Sequence, residues 1–155
     1  MPKLLRAVRL DDSDEHVFRS CGAAADGAWV VTGGFAVCEF DSAPRCQPSC
    51  HCESSFLAVG SRSRCSIAEV VDATDAQVEE QVEALAWHLV KVWGAPSWET
   101  ARRAAEDEVN HTVEVCETLA PEVWITVKRD RRAQDGALEE QYAVYDRLMI
   151  GAHAL

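Results

Sequence analysis

The pattern of apolar and polar residues changes period twice, near residues 74 and 122. Before the first of these points apolar residues fall in short runs. "LLRAVRL" alternates, placing Leu5, Ala7 and Arg9 on one strand face and Leu4, Arg6, Val8 and Leu10 on the other. "EHVFRSC" is a second short strand candidate, and "AWVVTGGFAVCEF", rich in β-branched and aromatic residues, is the strongest. Gly33 and Gly34 interrupt it, which predicts a bulge or bend. "SFLAVGS" and "CSIAEVVDA" add two strands around a short connection.

From Thr74 onward the period lengthens. Thr74, with Gln77 three residues on, reads as a capping box. Val78, Val82, Leu85, Leu89 and Val92 follow as one helical stripe, stopped by Gly94 and Pro96. Ser97 caps a second helix whose buried face is Ala101, Ala105, Val109, Thr112, Cys116 and Leu119, ended by Pro121. The short link "GAPS" makes the two helices antiparallel neighbours. "EVWITVKRDRRAQDGALEEQYAVYDRL" then gives two strands around Asp135-Gly136, with Val123, Ile125 and Val127 on one face and Trp124 and Thr126 on the other.

Strands, two helices and a closing hairpin are not the alternation of a parallel α/β fold. The pattern predicts an α+β domain, a mainly antiparallel sheet with a two-helix hairpin packed on one face. Residues 1–155 read as a single domain, with a flexible Cys-rich loop at 41–54 and a poorly ordered tail at 149–155. A chain of 155 residues, 48% of them hydrophobic, can form a core without a metal or disulfide staple.

Charge narrows the partners. The net charge of -11 opposes phosphate backbones and anionic membranes, so neither nucleic acid nor a membrane surface is expected. No apolar run suits a signal peptide or reaches the ~18 residues of a membrane span. The expected location is the cytoplasm, where thiols stay reduced, so the seven cysteines do not read as a disulfide framework.

Candidate chemistry is sparse. "PRCQPSCHCESSF" places Cys46, Cys50, His51 and Cys52 close together, with Cys65 at the start of the next strand. Those thiolates could bind zinc or iron. However, the paired C-x2-C spacing of a closed tetrahedral site is missing, and a loop of free thiols is the simpler reading. No cofactor is favoured. Redox chemistry would need a thiol at a helix N-terminus or in a C-x-x-C pair, and neither occurs. Glu108 and His111 have the Glu-x-x-His spacing of di-metal bundles, but the first helix supplies no matching motif. No nucleophile elbow, zincin motif or phosphate loop is present, so catalysis has no positive support.

Two surface features point instead to a protein partner or to self-association. Trp87 falls opposite the apolar stripe of the first helix, near Glu80, Glu83 and Lys91, with Val90 beside it. Trp93 and Trp98, at the corner between the helices, are expected in the core. "KRDRR" supplies Lys128, Arg129, Arg131 and Arg132 as a basic hairpin tip.

"LLRAVRLDDSDEHVF", "GAWVVTGGFAV" and "SSFLAVGSRSRCSIAEVVDAT", with the Gly-Ala-Pro-linked helix pair, resemble a family of small bacterial proteins known only as a domain of unknown function. The resemblance covers nearly the whole chain and brings no catalytic residues. It implies a shared pattern without cysteines before "SFLAVGS", which makes Cys46, Cys50 and Cys52 a departure. It also implies encoding near redox-enzyme and cofactor-attachment genes, and so an accessory role. The expected function is that of a non-catalytic accessory or assembly protein acting through protein contacts, and the alternative is metal binding by the Cys46, Cys50 and Cys52 loop.

Overall fold

Seven antiparallel strands form one sheet in a computed structural model that describes residues 1–18, 21–36 and 52–146. The strands are β1 (Lys3–Val8), β2 (Trp29–Val31), β3 (Phe56–Ala58), β4 (Arg64–Cys65), β5 (Ile67–Asp72), β6 (Trp124–Arg131) and β7 (Leu138–Tyr145). Their spatial order is β4-β3-β2-β1-β5-β6-β7. The α-helices among the described residues are α1 (Ser13–Val17), α2 (Asp75–Lys91) and α3 (Trp98–Cys116).

β1 sits at the centre. It pairs with β5 from Lys3↔Asp72 to Val8↔Ile67 and with β2 at Leu5↔Val30. Neighbouring residues go to opposite faces, as the pleat requires. Leu4, Val31 and Leu57 join Val82, Leu85, Leu89, Ala101, Ala105 and Val109 in the core under α2 and α3. Leu5, Val30 and Phe56 join Cys65, Val70, Ile125 and Val127 in a second cluster. Both faces of these strands are therefore buried, which is why their sequences read as apolar runs as much as alternations.

The helix ends follow their capping chemistry. Thr74 Oγ1 accepts from the Gln77 amide at 3.0 Å and Gln77 Oε1 accepts from the Thr74 amide at 2.9 Å, closing the expected box. Gly94, at φ 74°, allows the chain to leave α2 in the left-handed conformation. Ser97 Oγ accepts from the Thr100 amide at 3.1 Å to start α3. Past the end of α3, the Lys3 ammonium donates to the carbonyls of Glu117 and Leu119 at 3.2 and 2.6 Å. There a cation meets carbonyls that lack helical partners.

Several local expectations need correction. "EHVFRSC" begins as helix and not strand, because Glu15–Val17 close the short helix α1. Buried Asp14 anchors that helix by accepting from the Ser66 hydroxyl at 2.8 Å. Among the described residues the strong strand signal through "AWVVTGGFAVCEF" yields the strand Trp29–Val31, followed by a short 3-10 turn at Gly34–Ala36. Gly33 ends the strand there, at φ 79° and against Leu57. Val92 lies just past α2 and is exposed, while Val90 packs on the core. Most of the 41–54 loop and the whole 149–155 tail lie outside the described residues, and Cys52–Ser54 form a 3-10 turn.

Candidate functional site

The outer face of the helical hairpin carries an aromatic pair. Trp87, from the polar side of α2, is 54% exposed, and Trp98, the first residue of α3, is 38% exposed. Their ring centroids are 5.1 Å apart. The Lys91 ammonium, one helical turn after Trp87, sits 5.1 Å from the centre of the Trp87 ring. Trp98 was expected in the core, and its exposure has a local cause. The Ser97 cap starts α3 beside it, and the buried face of the helix begins three residues later, at Ala101.

A second group of residues meets around the buried Arg129, where the β6–β7 hairpin reaches back toward β2 and β3. The Arg129 guanidinium is fully enclosed. Its Nε donates to Glu140 Oε2 at 2.6 Å and its Nη1 to the Ser55 carbonyl at 2.9 Å, while Nη2 donates to the Thr32 carbonyl. Glu140 Oε1 lies 3.1 Å from His111 Nε2 on α3. One turn earlier, Glu108 Oε1 accepts from the Thr32 hydroxyl at 2.6 Å and from the Gly33 amide at 2.9 Å. Burial alone would raise the Glu140 carboxyl, but its bond to Arg129 and the nearby His111 hold it below its ordinary value. Burial, reinforced by Glu140, pushes the Tyr142 phenol well above its ordinary range.

A second buried arginine completes the arrangement. Arg64 donates to the Ser55 hydroxyl at 2.9 Å and to the Ala36 carbonyl at 2.8 Å. Arg64 and Arg129 thus hold Ala36 and Ser55, residues on either side of the cysteine-rich stretch. Every one of these partners is a backbone carbonyl, a hydroxyl or a carboxylate already engaged by the fold. The arrangement is a clamp that ties the β6–β7 hairpin, α3 and the β2–β3 end together.

Residues 1–151 match the profile of a family of unknown function, DUF6505. The chain belongs to DUF6505. No curated protein and no solved structure matches it. Membership settles kinship over nearly the whole length of this DUF6505 chain and carries no assigned activity.

The predicted site residues separate on this DUF6505 fold. Arg129 is not part of a basic tip. Strand alternation turns it inward, and its neighbours Lys128 and Asp130 are exposed. Arg132 is occupied by Asp135 at 3.0 Å and Glu139 at 3.6 Å, and Arg131 stands opposite Leu138 at the end of the ladder. The "KRDRR" run therefore does not form one free basic surface. Cys46, Cys50 and His51 lie outside the described residues, and Cys52 opens the turn before Ser55. Cys65 is packed in the core with Phe56 and Val70, and burial pushes its thiol far above the ordinary range. Cys116 is likewise buried, its thiol pushed up to about 12 by burial. Such thiols are packing groups that resist forming the thiolate a metal requires. Among the described residues no group of three or more His, Cys, Asp or Glu side chains could hold a metal, and no helix is long and apolar enough to cross a membrane.

His88 predicts a pH dependence. It is buried at the end of α2, beside Arg62 and Trp93 and close to the Ser61 backbone. Its Nε2 has no partner among the described residues. Burial, then the Arg62 charge, lower its pKa below the ~6.5 of an ordinary histidine, so the folded chain takes up this proton less readily than the unfolded chain does. The unfolded state then binds more protons, and stability falls as pH drops below that value. Urea midpoints from pH 8 to 5 should decline in the native chain and decline less in His88→Gln. Parallel profiles would assign the effect to other groups.

Proposed function

We propose that this protein is a non-catalytic accessory protein of the cytoplasm that acts by binding another protein through the outer face of the α2–α3 hairpin. The observation that supports this reading is the Trp87–Trp98 pair, two large aromatic side chains exposed side by side on helices whose opposite faces form the core. Tryptophan is the residue type most often found to anchor an interface. Two in contact offer apolar area that water covers poorly until a partner does. The buried polar cluster supports a structural role in the same picture, because each of its charges is spent on the fold.

The test separates binding from folding. Trp87→Ala removes an exposed ring that touches Trp98 and carries Lys91 over its face, so it should lower the unfolding free energy by only about 1–2 kcal/mol. The same substitution should weaken association with a co-purifying partner by about a hundredfold, the size of an interface hot spot. Thermal melting and calorimetric titration of the native and substituted chains read the two effects independently. A large drop in melting temperature with unchanged association would place Trp87 in the stability of the hairpin and remove this basis for an interface.

A further inference from the structure

Building on that reading of the hairpin face, we infer that its occupant is a basic, arginine-bearing segment of a different protein, whose guanidinium stacks on the Trp98 side of the pair. The surroundings of the two rings are acidic. Trp98 lines an open concavity with Glu99, Arg102, Arg103, Glu106 and Asp107. Arg102 is already bonded to Glu79 of α2, and Arg103 has no ion-pair partner among the described residues, so three carboxylates share the concavity with one free guanidinium of the described residues. On α2, the exposed Glu83 and Glu80 lie one and two turns before Trp87.

Cations already use these aromatic faces within the chain. Lys91 lies over Trp87, and elsewhere Arg62 lies 5.0 Å over Trp93 and Arg6 lies 4.1 Å over Trp29. No cation of the described residues covers Trp98. An aromatic face in a concavity where carboxylates outnumber guanidinium groups is the chemistry that receives a planar guanidinium, which can stack on the ring and pair with a carboxylate nearby. A second copy of this chain is the poorer occupant. It would bring the same acidic surroundings against themselves on a chain of net charge -11, and such like-charge contact opposes association.

Three synthetic amphipathic helical peptides of equal length, with arginine, glutamate or glutamine on the polar face, serve as probes of the full chain by calorimetry and tryptophan fluorescence. The arginine peptide should bind. Its affinity should fall about tenfold in Trp98→Ala and again in Glu99→Gln/Glu106→Gln/Asp107→Asn, which leaves both rings in place. The inference is overturned if the arginine peptide binds the native chain and Trp98→Ala equally, since that is charge attraction alone. It is also overturned if no peptide binds. Tryptophan-dependent binding of the glutamate or glutamine peptide would overturn the basic partner while leaving the docking face itself standing. Sedimentation showing a dimer that dissociates on Trp87→Ala would assign the face to a second copy.

Discussion

Arg129→Met should lower the unfolding free energy by about 3–5 kcal/mol, the cost of breaking a buried charge pair from one side. That loss is a large share of the ~5–15 kcal/mol that holds a domain of ordinary stability. Methionine fills much of the same space, so the effect reports lost polar contacts more than a cavity. The Thr32 and Ser55 carbonyls lose the Arg129 donor together, and the largely enclosed Glu140 carboxylate loses its guanidinium partner while His111 stays 3.1 Å away. Each buried acceptor that loses a donor in this way costs about 1–3 kcal/mol. Adding Glu140→Gln should recover part of the loss, because it removes the stranded charge. Urea unfolding of the native chain and of both variants measures this directly. A loss below about 1 kcal/mol for Arg129→Met, or no recovery in the double variant, would show that the clamp contributes little.

The contrast between Arg129 and Trp87 shows what could be read from residue order. Helical periodicity located both helices and their buried faces, because a stripe and its caps are local properties of the chain. Ala101, Ala105, Val109, Thr112 and Cys116 are all buried, and Thr74 and Ser97 cap where their spacing says they should. The same wheel correctly put Trp87 outside. Trp98 escaped because its exposure depends on where the link between the helices ends, and no periodicity reports that. Arg129 was misjudged for a different reason. A run of charges looks like a surface, and only strand alternation with the register Arg129↔Glu140 turns one of its members inward. Its remaining partners, Thr32 and Ser55, lie 97 and 74 residues away. Nothing in one sequence announces a contact across that separation. Glu108 and His111 illustrate the same point. Their spacing puts both on one helix face, as for metal ligands, yet the contacts they make are with Thr32, Gly33 and Glu140.

Gly33→Ala should be the other costly change, at about 2–5 kcal/mol, from two terms that act together. The first is conformational. Gly33 has φ 79°, where an L side chain costs about 1–2 kcal/mol. The second is steric. A Cβ at this position would lie 2.7 Å from Leu57 Cβ and 3.0 Å from the Leu57 amide nitrogen. Those are atoms of a buried strand, not the mobile end of a side chain, and overpacking of this kind costs a further 1–3 kcal/mol or so. Relief would require β2 and β3 to separate where Val31 pairs with Leu57, or the Gly33 amide to leave Glu108. Gly27, also at positive φ, has open space around its Cβ direction and so provides the control. Gly27→Ala should show the conformational term alone, about 1–2 kcal/mol. The difference between the two variants in urea unfolding isolates the contact with Leu57. Equal losses would mean that the strand end yields freely. The paired glycines would then serve the turn itself, not the approach of the two strands.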